Sequence, residues 1–472
     1  MYALLALGAL SFILCLIFTP LCRDAALKLG LVDLPDETRK RHAKPIPRIG
    51  GVGIVLAYLG ALGLMLAFAP LRAQMIIQHK GLIISLLPAL VMVFLTGLVD
   101  DLITLKPWQK LAGQMIASSL AVFGGARINW LDGHPYSALI AIPFSICWLL
   151  ACTNAFNLID GLDGLASGVA LFATCTTLLA AILQGNWGLA MATIPLAGCL
   201  LAFLRYNFNP ASVFLGDCGS LTIGFLLGCF GIIWSQKSAT FLGMLAPAMA
   251  LAFPLSDVAL SIARRFLRKQ RIFQPDTGHI HHKLLALGLH PRKVAIILYA
   301  ICGIATVLSL LQSSFGHHVG GLIVVLFCLL AFFGIKHLGY VEFSAARRVL
   351  TKTFLGMVSY EIYLKQLREE LLGADTSEEF WINVREACQK MGFSSVHLTL
   401  DGDSFEDCFE SSTAPGWQLS MSFGKRGNIV LKQSIQRSTD RLVTSSLLHV
   451  LHECIQVKTY TRMAANPASA AA

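Results

Sequence analysis

Apolar runs about as long as a bilayer is thick recur through the first 340 residues, and nothing constrains the fold more strongly. Ala3 to Pro20, Val52 to Pro70, Leu82 to Val99 and Ser137 to Ala155 are four of them. Each is near the roughly 20 residues that an α-helix needs to cross the hydrocarbon core. The polar–apolar alternation of an outer-membrane barrel is absent, so the spans are helices. Composition agrees: the 472 residues are 55% hydrophobic and 14% charged, with mean hydropathy +0.66. A soluble chain carries about 25% charged residues.

Hydropathy places eleven spans, near 2–21, 50–69, 82–99, 110–125, 137–155, 166–184, 189–205, 219–235, 241–262, 294–312 and 319–337. The fourth is short and interrupted by Gln114 and two glycines. The expected fold is therefore an all-α polytopic membrane protein with ten or eleven transmembrane helices. The first span has no Lys or Arg before it and no clean cleavage site after it, so it is expected to be retained. Lys and Arg crowd one set of loops: Arg23 to Arg48, Asp100 to Lys110, Arg205 to Gly216 and Arg264 to Lys293. Positive loops stay cytoplasmic. An odd number of spans then puts the N-terminus outside and the C-terminal segment in the cytoplasm.

The formal charge of +10 follows the same pattern, beside the spans, which makes it a topology signal rather than a nucleic-acid footprint. The 13 cysteines are scattered with no C-x-x-C pair, which supports neither a zinc ribbon nor a disulfide framework.

Near residue 340 the composition changes. Residues 1–340 form the expected membrane domain, 341–460 a small cytoplasmic α/β domain, and 461–472 an Ala-rich tail. In the second domain a helix is expected over Glu378 to Met391. Strands are expected over Ser395 to Leu400, Trp417 to Phe423 and Ile429 to Ser434, and a further helix over Asp440 to Val457. It carries no catalytic motif, and a regulatory or interaction role is expected.

Polar groups stand at span ends on the expected cytoplasmic side, where an ionised residue needs a reason to be. Asp100-Asp101 closes the third span. Two adjacent carboxylates repel, which can leave one able to take a proton near neutrality, or they can simply cap the helix starting near Pro107. Asn154, Asn157, Asp160 and Asp163 recur every third residue in Asn154-Ala-Phe-Asn-Leu-Ile-Asp-Gly-Leu-Asp-Gly164, an oxygen-rich array that suits Mg²⁺ or hydroxyl and base recognition. Asp217 sits between two glycines in Phe214-Leu-Gly-Asp-Cys-Gly-Ser220, open to a metal or phosphate, or to a plain turn. Gly278-His-Ile-His-His282 lies in a loop with Arg264, Arg265 and Arg268 and suits phosphate better than zinc. The basic stretch Arg39 to Gly51 would attract anions or anionic lipid. Cation-binding carboxylates facing Arg, Lys and His are what phosphoryl transfer needs.

The ordered series RKRHAKPIPRIGG, LVDD, NAFNLIDGLDG, FLGDCGS and HIHH resembles the polyprenyl-phosphate N-acetylhexosamine-1-phosphate transferases (glycosyltransferase family 4). The HIHH form looks like the undecaprenyl-phosphate N-acetylglucosaminyl-1-phosphate transferase branch. The match covers roughly residues 1–340 and leaves the C-terminal domain outside. The resemblance implies transfer of a sugar 1-phosphate from a UDP-sugar to undecaprenyl phosphate, with UMP released, at the bacterial inner membrane. It implies Mg²⁺, with Mn²⁺ as an alternative, on Asp217 and Asn157. Asp100 and Asp101 would lie by the lipid phosphate, one as base or both for positioning. Asp160 and Asp163 would hold nucleotide or metal, with Asn154 in the same array. His279, His281 and His282 would meet the sugar phosphate near Lys44 and Arg48, and Arg264, Arg265 and Arg268 would recognise sugar and diphosphate. It admits a homodimer and leaves open another UDP-N-acetylamino sugar. A secondary transporter is the rival class, but it would place polar residues at mid-span within inverted repeats.

Overall fold

The computed structural model describes residues 2–33, 45–68, 80–128, 137–235, 244–267, 270, 278–314, 317–337, 361–409, 416–424, 427–434 and 446–457. The chain divides into two compact units, Met1–Glu342 and Phe343–Ala472.

The first unit is helical. Helix α1 (Tyr2–Leu29) is followed by the short antiparallel pair β1 (Val32–Asp33) and β2 (Ile46–Pro47). Then come α2 (Gly50–Phe68), α3 (Lys80–Ile103), α4 (Pro107–Phe123), α5 (Ser137–Ile159), α6 (Leu165–Leu183), α7 (Trp187–Asn207) and α8 (Gly216–Ser235). The unit closes with α9 (Leu245–Ala250), α10 (Ala252–Leu267), α11 (Ile280–Ala286), α12 (Pro291–Ser314) and α13 (His317–His337). Among the described residues nine helices are long and apolar enough to cross a membrane, namely α1, α2, α3, α5, α6, α7, α8, α12 and α13. The protein is a polytopic membrane protein.

The other two expected spans are helical as well, one shorter and one interrupted. Helix α4 has 17 residues, about 26 Å at the α-helical rise, against a hydrocarbon core of about 30 Å. The run near 241–262 breaks at Leu251 into α9 and α10. Pro254, in the first turn of α10, has no N–H to give the carbonyl of Ala250, which weakens the helix at the break. Past the break α10 is amphipathic and buries Asp257, Arg264 and Arg265.

Helix α8 is the centre of the bundle: 94% of its span is buried, against α2, α3, α5 and α6 among others. Small residues let backbones meet there. A Cβ at Gly97 of α3 would lie 2.5 Å from the carbonyl oxygen of Asp217, and one at Gly51 of α2 would lie 2.2 Å from the Gly219 nitrogen. Two helices thus press directly on the first turn of α8.

The second unit holds α14 (361–373), α15 (Ser377–Lys390), a sheet of β3 (Ser395–Leu400), β4 (Asp403–Cys408), β5 (Gly416–Ser422) and β6 (Gly427–Ser434), and α16 (446–457). The strands are antiparallel in the order β4-β3-β6-β5. Val396, Leu398, Leu400, Ile429 and Leu431 turn one face of the sheet into a core with Phe380 and Val384 of α15. Strand β4 was not anticipated, because Asp-Ser-Phe-Glu-Asp-Cys is acidic and poor in β-formers. The signal was Asp401-Gly402, both at positive φ (55° and 99°), which closes a two-residue hairpin onto β3. Helix α14 was also not anticipated. The tail 461–472 lies outside the described residues.

Candidate active site

At one end of the bundle the close of α3 and α5 meets the start of α4 and α8, and four polar side chains converge. Lys110 in the first turn of α4 pairs with Asp100 at 2.9 Å and with Asp217, and donates to Asn157 Oδ1 at 3.1 Å. Asn157 of α5 donates through Nδ2 to Asp217 Oδ1 at 2.7 Å and to Ser220 Oγ at 3.1 Å. Asp217, Asn157 and Asp100 are thus gathered around one ammonium. Lys110 was read from the sequence only as a topology charge, so its place here is a finding of the structure.

The two adjacent aspartates divide their work. Asp101 accepts the backbone N–H groups of Asp217 and Cys218, each at 2.8 Å, and so caps the N-terminus of α8. Asp100 faces the centre: Oδ2 meets Lys110, and Oδ1 accepts the N–H of Leu105 at 2.6 Å. Both oxygens of Asp101 are committed to holding Asp217 in place.

The donor set fits a hard divalent cation. Two carboxylates and an amide oxygen already surround a positive charge, and Mg²⁺ is held by one or two carboxylates together with substrate phosphates. Among the described residues no three His, Cys, Asp or Glu side chains form a closed metal cage. An all-protein cage is not what Mg²⁺ at a phosphate site requires.

The remaining array spreads outward. Asn154 is tied to Gln114 of α4, donating to Oε1 at 2.8 Å, and also donates to the carbonyl of Leu150 at 2.8 Å. Asp160 opens the turn after α5. Burial pushes its carboxyl well above the usual range, and the charges of Asp217, Asp101 and Asp163 push it further. Asp163 Oδ2 accepts from Asn209 Nδ2 at 2.9 Å and from the N–H of Ala211 at 3.0 Å, which fastens the turn to the loop after α7. That turn is also held by Tyr299, whose hydroxyl donates to Gly164 O at 2.5 Å.

The histidines reach the same turn from the other side. His281 is fully buried, neither ring nitrogen has a hydrogen-bond partner among the described residues, and its Nε2 would lie 3.0 Å from a Cβ at Gly161. Burial first, then neighbouring His282, pushes its pKa down to about 4. His282 lies beside it, ring centroids 4.2 Å apart. His279 pairs with Asp257 at 2.8 Å. Arg264 and Arg265 are 3% and 8% exposed, and Gly278 lies against the Arg264 guanidinium. Arg48 pairs with Asp33 of β1. Lys44 and Arg268 lie outside the described residues. Asp257 is a further site residue, and its signal in the sequence is an ionisable side chain within an apolar run.

Fold and centre together define a multi-pass membrane protein with a cluster of charged and amide side chains at one end of its helices. The glycosyl transferase family 4 model matches residues 83–235, from α3 to the end of α8. A probable undecaprenyl-phosphate N-acetylglucosaminyl 1-phosphate transferase of Bacillus subtilis is 32% identical over 296 residues, covering 62% of this chain and 80% of the relative. Undecaprenyl-phosphate alpha-N-acetylglucosaminyl 1-phosphate transferases of Thermotoga maritima and Escherichia coli K12 are 29% and 26% identical, covering 65% and 68% of this chain and 89% and 87% of theirs. The chain belongs to glycosyl transferase family 4.

Proposed function

We propose that the protein transfers N-acetylglucosamine 1-phosphate from its UDP-sugar to undecaprenyl phosphate, releasing UMP and initiating lipid-linked cell-surface glycan synthesis. The observation that carries this reading is the meeting of Asp100, Asn157 and Asp217 around Lys110. The names of the relatives, each an N-acetylglucosaminyl 1-phosphate transferase acting on undecaprenyl phosphate, support it.

An oxygen of the lipid phosphate attacks the β-phosphorus of the donor. The bond from that phosphorus to the bridging oxygen breaks, and UMP leaves with the electron pair. The acceptor's second pKa is about 6, so at neutral pH it is largely dianionic and no proton need be removed. Asp100 and Asp101 therefore position: one orients Lys110, the other anchors Asp217. Lys110 supplies fixed positive charge where phosphate oxygens crowd. Mg²⁺, or Mn²⁺ in its place, would be held by Asp217 and Asn157 and would neutralise diphosphate charge when bound. The site faces the cytoplasm of a bacterial inner membrane, where the soluble donor arrives while the isoprenoid tail stays in the bilayer. The basic loops at this end support that orientation.

Purified protein with Mg²⁺, undecaprenyl phosphate and a panel of UDP-sugars tests the proposal. UMP formed with UDP-N-acetylglucosamine is the expected result. UMP only with another UDP-N-acetylamino sugar would change the donor, and none with any sugar would overturn the reading.

A further inference from the structure

We propose that Asp257 is a positioning residue for this transfer: it fixes the ring of His279 and the start of α11, and so aims the histidine cluster at the turn over 160–164. The inference rests on the transferase reading, in which those histidines meet the sugar phosphate.

Asp257 lies in α10 with no exposed surface, and both of its oxygens are used. Oδ2 stands 2.8 Å from His279 Nδ1, and Oδ1 accepts the N–H of Ile280 at 2.9 Å. A carboxylate only accepts, so Nδ1 carries the ring proton and Nε2 is the nitrogen left for another partner. His279 occupies the N-cap position of α11 but makes no cap bond with its own side chain. The cap comes from another helix instead, which ties α11 to α10 and leaves the imidazole for other use. Capping alone would not need this residue: a buried carboxylate is costly unless well paired, and a neutral Asn could accept from Ile280.

From His279 the order passes along the cluster. The His279 and His281 rings stack at 5.8 Å with 10° between planes, and His281 meets Gly161. Asp257 thus sets the direction of a row of rings that ends on the turn holding Asp160 and Asp163. A carboxylate that fixes a histidine's tautomer and orientation is a common supporting device. Asp257→Asn keeps the shape but can place an N–H against Nδ1, which moves the ring proton to Nε2.

The test uses the full-length protein in detergent or nanodiscs, with UMP release measured against UDP-sugar and against undecaprenyl phosphate. Asp257→Asn is expected to lower kcat/KM for the UDP-sugar about tenfold or more. KM for the lipid should stay within about twofold, and Tm within a few degrees. The double variant with His279→Gln should be no worse than His279→Gln alone, because both act through one unit. Losses that add, equal losses toward both substrates, or full activity of Asp257→Asn would overturn the inference. If Asp257→Asn does not fold, Asp257→Glu carries the test, since it keeps the charge and displaces it by one methylene. The same donor-selective loss supports the inference, and wild-type behaviour overturns it. Wild-type protein that forms no UMP with any UDP-sugar would instead remove the transferase reading, a result distinct from an active enzyme with additive losses.

Discussion

The carboxylate of Asp101 accepts the backbone N–H of Asp217 at 2.8 Å, joining the last turn of α3 to the first turn of α8. One aspartate therefore holds the backbone from which the other projects. The arrangement also sets negative charge at a helix N-terminus, where the helix dipole favours it.

Removing that anchor should cost stability and activity together. Asp101→Ala leaves two N–H groups without their acceptor, a loss of about 1–2 kcal/mol for a cap. Displacing Asp217 should lower UMP release about 100-fold. Asp101→Asn keeps one accepting oxygen and should fall between. Thermal shift and UMP release on the same preparations check this; an Asp101→Ala protein with full activity would contradict the anchoring role.

Asp217→Asn should abolish both Mg²⁺-dependent UMP release and any rise in Tm on adding Mg²⁺. Asn154→Ala should leave the Mg²⁺ response intact, since Asn154 is bound to Gln114. Full activity in Asp217→Asn would sink the metal assignment.

Lys110→Met leaves Asp100 and Asp217 facing each other without a cation. Breaking a largely buried pair from one side costs roughly 3 kcal/mol, and loss of fixed positive charge should slow transfer about 100-fold. Added Mg²⁺ should restore part of the lost stability but not the rate. Melting curves with and without Mg²⁺ read this out, and a Lys110→Met protein as stable as wild type in EDTA would refute it.

His281 makes stability depend on pH in a defined direction. Its pKa is about 4 in the folded protein against 6.5 unperturbed, so the unfolded chain binds the extra proton as pH falls through that interval. The contribution is complete above 6.5 and is lost as pH drops toward 4. Its full size is about 3 kcal/mol. His281→Gln should flatten the fall in Tm over this window; an unchanged profile would mean that other groups carry it.

A chain ending at Glu342 should keep UMP release and its Mg²⁺ dependence, because the first unit contains every residue of the proposed centre. Loss of both in a folded truncation would give the second unit a catalytic part.

Much of this was legible in the sequence. Among the described residues the expected spans fall mainly on helix, with one break at Leu251, and LVDD, NAFNLIDGLDG and FLGDCGS hold residues that meet. What was not legible depended on direction and hydrogen bonding. Successive helical residues point about 100° apart, so Asp100 and Asp101, adjacent in the chain, serve different partners. Asn154 and Asn157 share a helix side, yet one finds Gln114 and the other Asp217. Hydropathy counts apolar residues and does not see that Pro254 takes one bond out of the helical ladder beside the break at Leu251. Lys110 looked like one more loop charge because nothing in its neighbours reveals that α4 starts beside α5 and α8.

Helix α8 shows almost no surface to the outside of its unit. The forces a bilayer exerts, lateral pressure and thickness mismatch, fall first on the outer helices and reach α8 only through its packed neighbours. The aspartate at the head of α8 is held by protein alone. If the centre is where the lipid phosphate reacts, as proposed, the lipid would meet it as a reactant, and not as a mechanical load.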